Sequence, residues 1–215
     1  MNSSGNSMDG AALRVRHMFA SERAAFEADP YPLADRRREK IRALKRQISR
    51  YQDVLANAMS MDFGFRAPTE SKMLDLLGSM LEANHAIAHL KHWMKPSRRA
   101  TELLFLTNSL SVTYQPKGVV GIIVPWNFPI YLAVGPLIAA LAAGNRVMIN
   151  MSEITPATNA ALTRLLGEVF QEEEVAVVGE ELTDPAFSLR CPSITLFSPA
   201  RPTLARSSCG PLRKT

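Results

Sequence analysis

Residues 118–151, GVVGIIVPWNFPIYLAVGPLIAALAAGNRVMINM, decide the fold of this chain. Residues 118–124 form an apolar run with β-branched side chains, which is typical of a strand buried on both faces. Residues 130–143 predict a helix that is capped by Gly144-Asn145, and residues 146–151 predict a second strand. A strand, a helix and a second strand in this order indicate a parallel sheet with a right-handed crossover.

The segment that follows repeats the pattern. Thr155 is a good N-cap and Pro156 suits the first turn of a helix over residues 157–170. Residues 175–178 predict a third strand. The sequence therefore predicts an α/β fold with part of a doubly wound parallel sheet.

The sequence before residue 118 has a different period. Apolar spacing predicts three helices: residues 11–28, residues 35–61, and a third from Thr69 or Ser71 to Lys95-Pro96. Short strands are predicted at residues 103–106 and 110–114, with Thr107-Asn108-Ser109 as the turn between them. We therefore expect five regions: a disordered start at 1–9, a helical region at 10–98, a short β-arm at 99–117, a partial dinucleotide-binding domain at 118–188, and a basic tail at 189–215.

The net charge of +5 comes entirely from the tail. Residues 1–188 carry 20 Lys and Arg against 20 Asp and Glu, whereas residues 189–215 carry five basic residues and no acid. Because residues 1–188 carry no net charge, the sequence argues against a protein that binds nucleic acid. The two cysteines, Cys191 and Cys209, also lie in the tail, for which no strand is predicted. Two cysteines and a polar start without a signal peptide predict a cytoplasmic protein that lacks a disulfide framework.

One apolar stretch is long enough to cross a membrane. Within residues 118–144, Asn127 is the single strongly polar side chain. However, Pro125, Pro129 and Pro136 interrupt the run, and a buried strand, a loop and a buried helix explain it better. We expect no membrane segment.

Two polar clusters favour ordinary structural interpretations. Residues 36–50 include eight basic side chains, which could bind phosphates but are more typical of the solvated face of a helix. His85, His89 and His92 lie on one predicted helix, but a metal site needs further ligands that converge on them. We predict neither a nucleic-acid surface nor a metal site.

The loop after the first buried strand is the candidate for chemistry. Val124-Pro125-Trp126-Asn127-Phe128-Pro129 lies at the carboxyl end of that strand, where doubly wound folds bind their ligands. The Asn127 amide, held by two prolines and an aromatic residue, could donate a hydrogen bond to a reacting oxygen. The residues alone equally allow a structural turn in which Asn127 caps the following helix.

At this point the sequence resembles a known family. Residues 116–129, PKGVVGIIVPWNFP, resemble the motif G-V-V-G-x-I-x-P-W-N-F-P of the aldehyde dehydrogenase superfamily. Residues 136–145 are similar to that family's P-A-L-A-A-G-N helix, and Ser152-Glu153 with Thr155-Pro156 resemble its K-P-S-E-x-T-P segment. Tyr114-Gln115-Pro116 and the N-terminal helices look most like the coniferyl-aldehyde dehydrogenase branch. The resemblance covers residues 1–188, which is less than half of an intact enzyme.

The resemblance implies a Rossmann-like half-domain and oxidation of an aldehyde to a carboxylic acid with NAD or NADP. In such enzymes a Cys thiolate attacks the aldehyde, hydride passes to the nicotinamide, and a Glu-activated water releases the acid. The intact enzymes take a small-molecule aldehyde and form homo-oligomers.

The resemblance also assigns roles to positions of this chain. Asn127 matches the amide that donates to the oxyanion, a donor whose loss typically costs about 10²–10³ in rate. The wall beside the cofactor matches Ile123, Val124, Pro125 and Trp126. The region around the adenosine ribose matches Asn150, Ser152 and Glu153.

Two departures from the family pattern stand out. Asn150 occupies the position where the family usually has a Lys that contacts the ribose, so the charge that would favour a phosphorylated cofactor is lost. The nucleophilic Cys and the general-base Glu belong to a part of the family pattern that this sequence does not contain. Cys191 and Cys209 stand in segments unlike the nucleophile motif, and we give them no such role.

The tail is explained by a change of reading frame. Plausible codons for residues 189–202, regrouped by one base, can encode A-L-P-F-D-H-L-V-F-T-G-S-T, which resembles the family's next strand and phosphate-side loop. The same regrouping continues through residues 205–215 as G-K-I-V-M-R-A-A-A-E-N. We therefore expect a frameshift after Ser188 and a chain that does not turn over aldehydes alone.

Two other classes of function stay open at this stage. A non-catalytic module that binds a cofactor or a partner would bind the nicotinamide cofactor without turnover. A helical nucleic-acid-binding protein would show salt-dependent retention on DNA that requires residues 36–50.

Overall fold

The computed structural model describes residues 3–100, 108–178 and 195–197. Six α-helices and six strands lie in these ranges, with a π-helical segment at Lys72–Leu77 joining two of the helices. The helices are α1 Ser3–Ala28, α2 Ala34–Phe63, α3 Pro68–Ser71, α4 Gly78–Trp93, α5 Pro129–Ala143 and α6 Pro156–Gly167. The strands are β1 Ser97–Arg99, β2 Leu110–Val112, β3 Val119–Ile123, β4 Arg146–Asn150, β5 Val175–Val178 and β6 Thr195–Phe197.

The main sheet has four parallel strands in the order β5-β4-β3-β6. Side chains of the central strands alternate between its two packed faces. Val147 and Ile149 of β4 lie in the core formed with α2, α5 and α6, whereas Met148 packs with Val15 and Met18 of α1. Because both faces of the sheet are covered, side chains that point to either face are buried. This explains why the strand sequences are nearly continuously apolar. The predicted α/β fold with a parallel sheet is confirmed.

The chain changes direction across the sheet after β5. Strands β3, β4 and β5 follow one another towards one edge, whereas β6 pairs with the opposite side of β3. The switch point therefore lies between β3 and β6. In open α/β sheets such a point opens a crevice at the carboxyl ends of the strands.

The strand β6 corrects one prediction. The composition of residues 189–215 predicts no strand, yet Thr195–Phe197 pair in register with Val120–Ile122. Thr and Phe favour extended structure, and β3 would otherwise present an unpaired edge.

The β-arm also differs from expectation. The structure pairs β2 with β1, a strand that the sequence did not predict, with Leu110 opposite Arg99. The strand predicted at residues 103–106 and Thr107 of its turn lie outside the described residues, so the pairing of that strand with β2 stays a prediction. At the start of the chain, α1 begins at Ser3, inside the segment predicted to be disordered.

The basic run of α2 is only partly a solvated face, so that prediction is wrong for Arg37. This side chain is 3% exposed and donates to the carbonyl oxygens of Pro32 at 2.8 Å and Ala142 at 3.0 Å. It thereby satisfies a free carbonyl at the end of α5. Gly144 follows with φ +89°, and a Cβ there would lie 2.6 Å from the guanidinium carbon of Arg37. Both the backbone and the space therefore require glycine.

Across the described ranges, no helix combines the length and the apolar content needed to cross a membrane.

Candidate active site

The predicted site residues lie on two neighbouring turns at the carboxyl edge of the sheet. The register pairs Ile123 of β3 with Asn150 of β4, and the Val124 N–H donates to the Asn150 carbonyl at 2.9 Å. The structure thus brings the ends of the two strands together. We call residues 124–128 the first turn and residues 151–155 the second turn.

The first turn leaves β3 at the switch point and presents its central residues to solvent. Trp126 is 50% exposed and Asn127 is exposed, whereas Val124 is buried. Within the described residues the Asn127 side-chain amide makes no hydrogen bond, so it is free to donate. Trp126 is fixed on one side by Phe63, whose ring centroid is 6.4 Å away.

Asn127 does not cap the following helix. The N-cap of α5 is Phe128, which makes no side-chain capping bond. The Tyr131 N–H in the first turn of α5 instead donates to a carboxylate oxygen of Asp75 at 3.0 Å. The alternative that the sequence left open, a turn in which Asn127 caps the following helix, is therefore wrong about the cap.

Asp75 belongs to a buried ion pair beneath the first turn. Its second carboxylate oxygen accepts a hydrogen bond from Arg66 at 2.9 Å, and the side chains are 0% and 7% exposed. Burial raises the pKa of Asp75, while the Tyr131 N–H and the charge of Arg66 oppose that rise. Arg66 also reaches the backbone carbonyl of Asn127 at 3.4 Å.

A cleft of about 380 Å³ opens beside Asn127 of the first turn. It is lined by Phe63, Phe65, Arg66, Glu70, Asn127 and Phe128. Three of these six residues are phenylalanines, and two are charged. The cleft can hold a flat apolar group close to the free side-chain amide of Asn127.

The second turn is held by hydrogen bonds within the turn and with α6. The Ser152 carbonyl accepts from the Asn159 side-chain amide at 2.7 Å, and its hydroxyl accepts from the Ile154 N–H at 3.3 Å. Asn150 and Ser152 are half-buried, and Glu153 is exposed. Predicted as the N-cap, Thr155 occupies that position but makes no capping bond.

The helix after the second turn is capped by a distant carboxylate. Asp62, near the end of α2, accepts hydrogen bonds from the N–H groups of Ala157 at 3.0 Å and Thr158 at 2.7 Å. The Thr158 hydroxyl donates to the same carboxylate at 2.6 Å. The N–H donors at the start of α6 are therefore occupied by protein.

Sequence reasoning missed Arg66, Asp75 and Asp62. One signal was present for Asp75, which is the single acid in KMLDLL, residues 72–77, and so stands among apolar side chains. No comparable local signal marks Asp62, whose partners in α6 lie 95 and 96 positions away, or Arg66, whose hydrogen-bond partners lie 9 and 61 positions away.

The histidines on α4 form an aromatic surface. The rings of His85 and His89 lie 4.2 Å apart between centroids, and Trp93 lies within 6.0 Å of both. The part of the chain that the structure describes contains no group of three or more His, Cys, Asp or Glu side chains able to hold a metal ion.

Comparison with known sequences identifies a family and two close relatives. A sequence model of the aldehyde dehydrogenase family matches residues 4–184. A probable coniferyl aldehyde dehydrogenase of Pseudomonas aeruginosa is 47% identical over 176 residues, covering 81% of this chain and 37% of that protein. A coniferyl aldehyde dehydrogenase of Pseudomonas sp. strain HR199 is 41% identical over 127 residues, covering 59% of this chain and 26% of that protein. The chain thus spans well under half the length of these relatives.

Solved structures agree with the sequence comparison. An aldehyde dehydrogenase of Mycobacterium tuberculosis complexed with NAD+ has a TM-score of 0.75 and 27% identity, with 87% of this chain and 38% of that chain covered. The substrate-bound AldH of Staphylococcus aureus has a TM-score of 0.73 and 27% identity, with 76% and 35% covered.

Proposed function

This chain belongs to the aldehyde dehydrogenase family, and on that premise we propose that its first turn supplies the oxyanion donor for oxidation of an aldehyde to a carboxylic acid. The observation that carries the proposal is the free side-chain amide of Asn127 at the switch point of the sheet. Amides that are held in place before reaction stabilise developing negative charge without reorganisation. The prolines and the buried pair beneath the turn support this role.

We propose that the edge of the sheet formed by both turns faces NAD or NADP, which accepts the hydride when it is bound. Ile123, Val124 and Pro125 are half-buried or buried and offer an apolar wall. Asn150 and Ser152 offer polar groups at the end of β4, and the Glu153 carboxylate can accept from ribose hydroxyls. Without a Lys at position 150, the edge suits an unphosphorylated ribose better than a phosphorylated one.

The substrate we propose is an aryl aldehyde of the coniferyl type. Phe63, Phe65 and Phe128 line the cleft beside Asn127, and aromatic rings pack well against a flat conjugated substrate. The relatives with coniferyl aldehyde in their names support this choice.

We further propose that the 215 residues alone do not turn over aldehyde. Covalent catalysis requires a thiolate held near the oxyanion donor, where its effective molarity is high. The two cysteines of the sequence, Cys191 and Cys209, stand in segments unlike the family's nucleophile motif and lie outside the described residues. Loss of a nucleophile commonly costs on the order of 10⁶ in rate.

A two-arm assay tests both proposals. In the first arm, the 215-residue protein is given cinnamyl-type and aliphatic aldehydes, and we expect no aldehyde-dependent NAD(P)H. In the second arm, a one-base insertion near codon 188 restores the frame that begins one base earlier, and we expect turnover that favours the cinnamyl-type aldehydes. Turnover in the first arm that disappears with Cys191→Ser would contradict the assignment of the tail.

Variants in the second arm test the donor. Asn127→Ala should remove most of the turnover, whereas Asn57→Ala, the same change at an exposed position of α2, should not. Equal losses in both variants would refute the role of Asn127.

We also propose that the protein self-associates, as homo-oligomeric relatives would. Met73, Leu74, Leu77 and Leu81 are each about half exposed or more on the π-helical segment and α4. Such a stripe usually marks an interaction surface or an aggregation liability. A monodisperse monomer in light scattering at micromolar concentration would contradict this.

A further inference from the structure

A buried ion pair beneath the first turn, formed by Arg66 and Asp75, comes from the N-terminal helical region. Arg66 lies in the loop between α2 and α3, and Asp75 lies in the π-helical segment. Their 2.9 Å contact is almost wholly removed from water. Removing one partner of such a pair leaves an uncompensated buried charge, so the two side chains act as a unit.

This pair contacts the first turn on both sides of Phe128. Before Phe128, a terminal nitrogen of Arg66 donates to the Asn127 carbonyl at 3.4 Å. After it, Asp75 accepts from the Tyr131 N–H at 3.0 Å. The backbone at Asn127 and the start of α5 are therefore tied to one buried pair.

Two aromatic rings fix the plane of the guanidinium. The central carbon of Arg66 lies 5.2 Å from the ring centroid of Phe63 and 5.3 Å from that of Phe128. Arg has a planar group that can stack on aromatic rings while it donates hydrogen bonds in two directions, and Lys has no such group. The same rings line the cleft beside Asn127.

The π-helical segment provides the local geometry for Asp75. Helical turns of this kind are rare and are frequently found at functional sites. The Ser79 hydroxyl donates to the Asp75 backbone carbonyl at 2.7 Å, which satisfies a carbonyl within the widened turn. At Gly78 a Cβ would lie 3.0 Å from the ring of Tyr131, so α4 approaches the start of α5 closely.

We propose that Arg66 and Asp75 are positioning residues that hold the Asn127 amide in its reactive orientation. The inference rests on the proposed function of Asn127 as oxyanion donor. Donor placement matters because a displacement of about 1 Å can cost about 10²-fold in rate. The pair acts through the Asn127 backbone and through the start of α5, and it touches no reacting atom.

The first test uses the 215-residue chain and follows the turn directly. In a Trp93→Phe background, Trp126 is the one remaining tryptophan and reports on the turn. Arg66→Lys keeps the charge beside Asp75 but loses the planar fork, and we expect acrylamide quenching of Trp126 to rise about twofold as the turn loosens. Unchanged quenching would overturn the proposal.

Hydrogen exchange adds a matched control. Asp75→Asn should speed exchange of the Tyr131 amide about tenfold and leave the Thr158 amide unchanged. Asp62→Asn, the same change at the carboxylate that caps α6, should do the reverse. Faster exchange at both amides in both variants would mean general destabilisation and would refute a local role. If Asp75→Asn does not fold, the Arg66→Lys measurement decides.

The second test separates positioning from structure in the frame-restored enzyme. Arg66→Lys should lower kcat about tenfold or more with the KM for the cofactor unchanged. Combined with Asn127→Ala it should cause little further loss, because the donor that it positions is already gone. If the two substitutions instead lower kcat independently, so that their effects multiply in the double variant, the proposal is overturned. If the restored enzyme has no turnover, the proposed function fails, and the Trp126 and exchange results still decide whether the pair holds the turn.

Discussion

The two turns at the carboxyl edge of the sheet are built alike but held differently. Each leaves a parallel strand and enters a helix whose first N–H groups donate to an Asp from the N-terminal helices, Asp75 for α5 and Asp62 for α6. The first turn adds Pro125 and a buried ion pair, whereas the second turn relies on hydrogen bonds within the turn and with Asn159 of α6.

The shared feature limits where cofactor phosphates can bind. A free helix N-terminus is a common site for phosphate groups because its N–H donors point outward. Here N–H groups at both helix starts already donate to a protein carboxylate, so these donors are occupied. The difference between the turns indicates separate duties, since the first turn, held by the buried pair, suits an oxyanion donor, and the second turn, with Ser152 and Glu153, suits contacts to ribose.

The largest expected effect separates those duties by kinetics in the frame-restored enzyme. Asn127→Ala should lower kcat by about 10²–10³ with little change in the cofactor KM, because it removes a donor used in the transition state. Glu153→Ala should raise the cofactor KM by up to about tenfold and leave kcat unchanged, because it removes a ground-state contact. Steady-state assays with varied NAD check both, and a fall in kcat for Glu153→Ala would erase the distinction.

A third carboxylate, Glu22, sharpens the comparison because it is fully buried and has no helix N-terminus to stabilise its charge. Glu22 of α1 is fully buried and accepts the Ala176 N–H of the edge strand β5 at 3.2 Å. Burial raises its pKa to about 9 from the usual 4.5, with Arg146 opposing the rise and Glu172 adding to it.

The raised pKa gives stability a defined pH dependence. Between pH 4.5 and 9 the folded chain keeps a proton that the unfolded chain releases, so stability falls as pH rises, by at most about 1.4 kcal/mol per unit. Glu22→Gln should match the parent near pH 5 and exceed it at pH 8.5 in urea unfolding. Parallel pH profiles for parent and variant would contradict this.

A smaller effect is expected at the cap of α6. Asp62→Ala removes the acceptor for two N–H groups and a hydroxyl, and should cost about 1–2 kcal/mol. Asp53→Ala, which removes an exposed partner of Lys72, should cost well under 1 kcal/mol. Denaturant midpoints of the two variants check the prediction, and similar midpoints would mean that the Asp62 cap contributes little.

The sheet and its helices could be predicted from local pattern. Residues 118–178 alternate between continuous apolar strands and a helical period, and proline and glycine mark the ends. The contacts that hold the turns could not be predicted, because Asp62 and Thr158 are 96 positions apart and Arg66 and Asn127 are 61 positions apart. Periodicity carries no information about such pairs.

The burial of one charged residue was also predicted wrongly from the sequence. A basic run on an amphipathic helix usually indicates a solvated face, and most of α2 agrees. Arg37 is buried because the end of α5 offers it a free carbonyl at Ala142, a tertiary feature that the helix pattern does not encode. Placement of Asn150 at the end of β4 was predictable, since parallel register follows from the strand–helix–strand order.

The central claim, that the two turns form the cofactor-facing edge and leave the phosphates without a helix N-terminus, is tested most directly by titrating the labelled 215-residue chain with NAD in ¹H–¹⁵N spectra. We predict shifts at Ile123–Asn127 and at Asn150–Glu153, no shifts at the α5 and α6 amides bound to Asp75 and Asp62, and a Kd no tighter than about 1 mM, or about −4 kcal/mol. Micromolar binding, or shifts centred on Tyr131 and Thr158, would contradict the account.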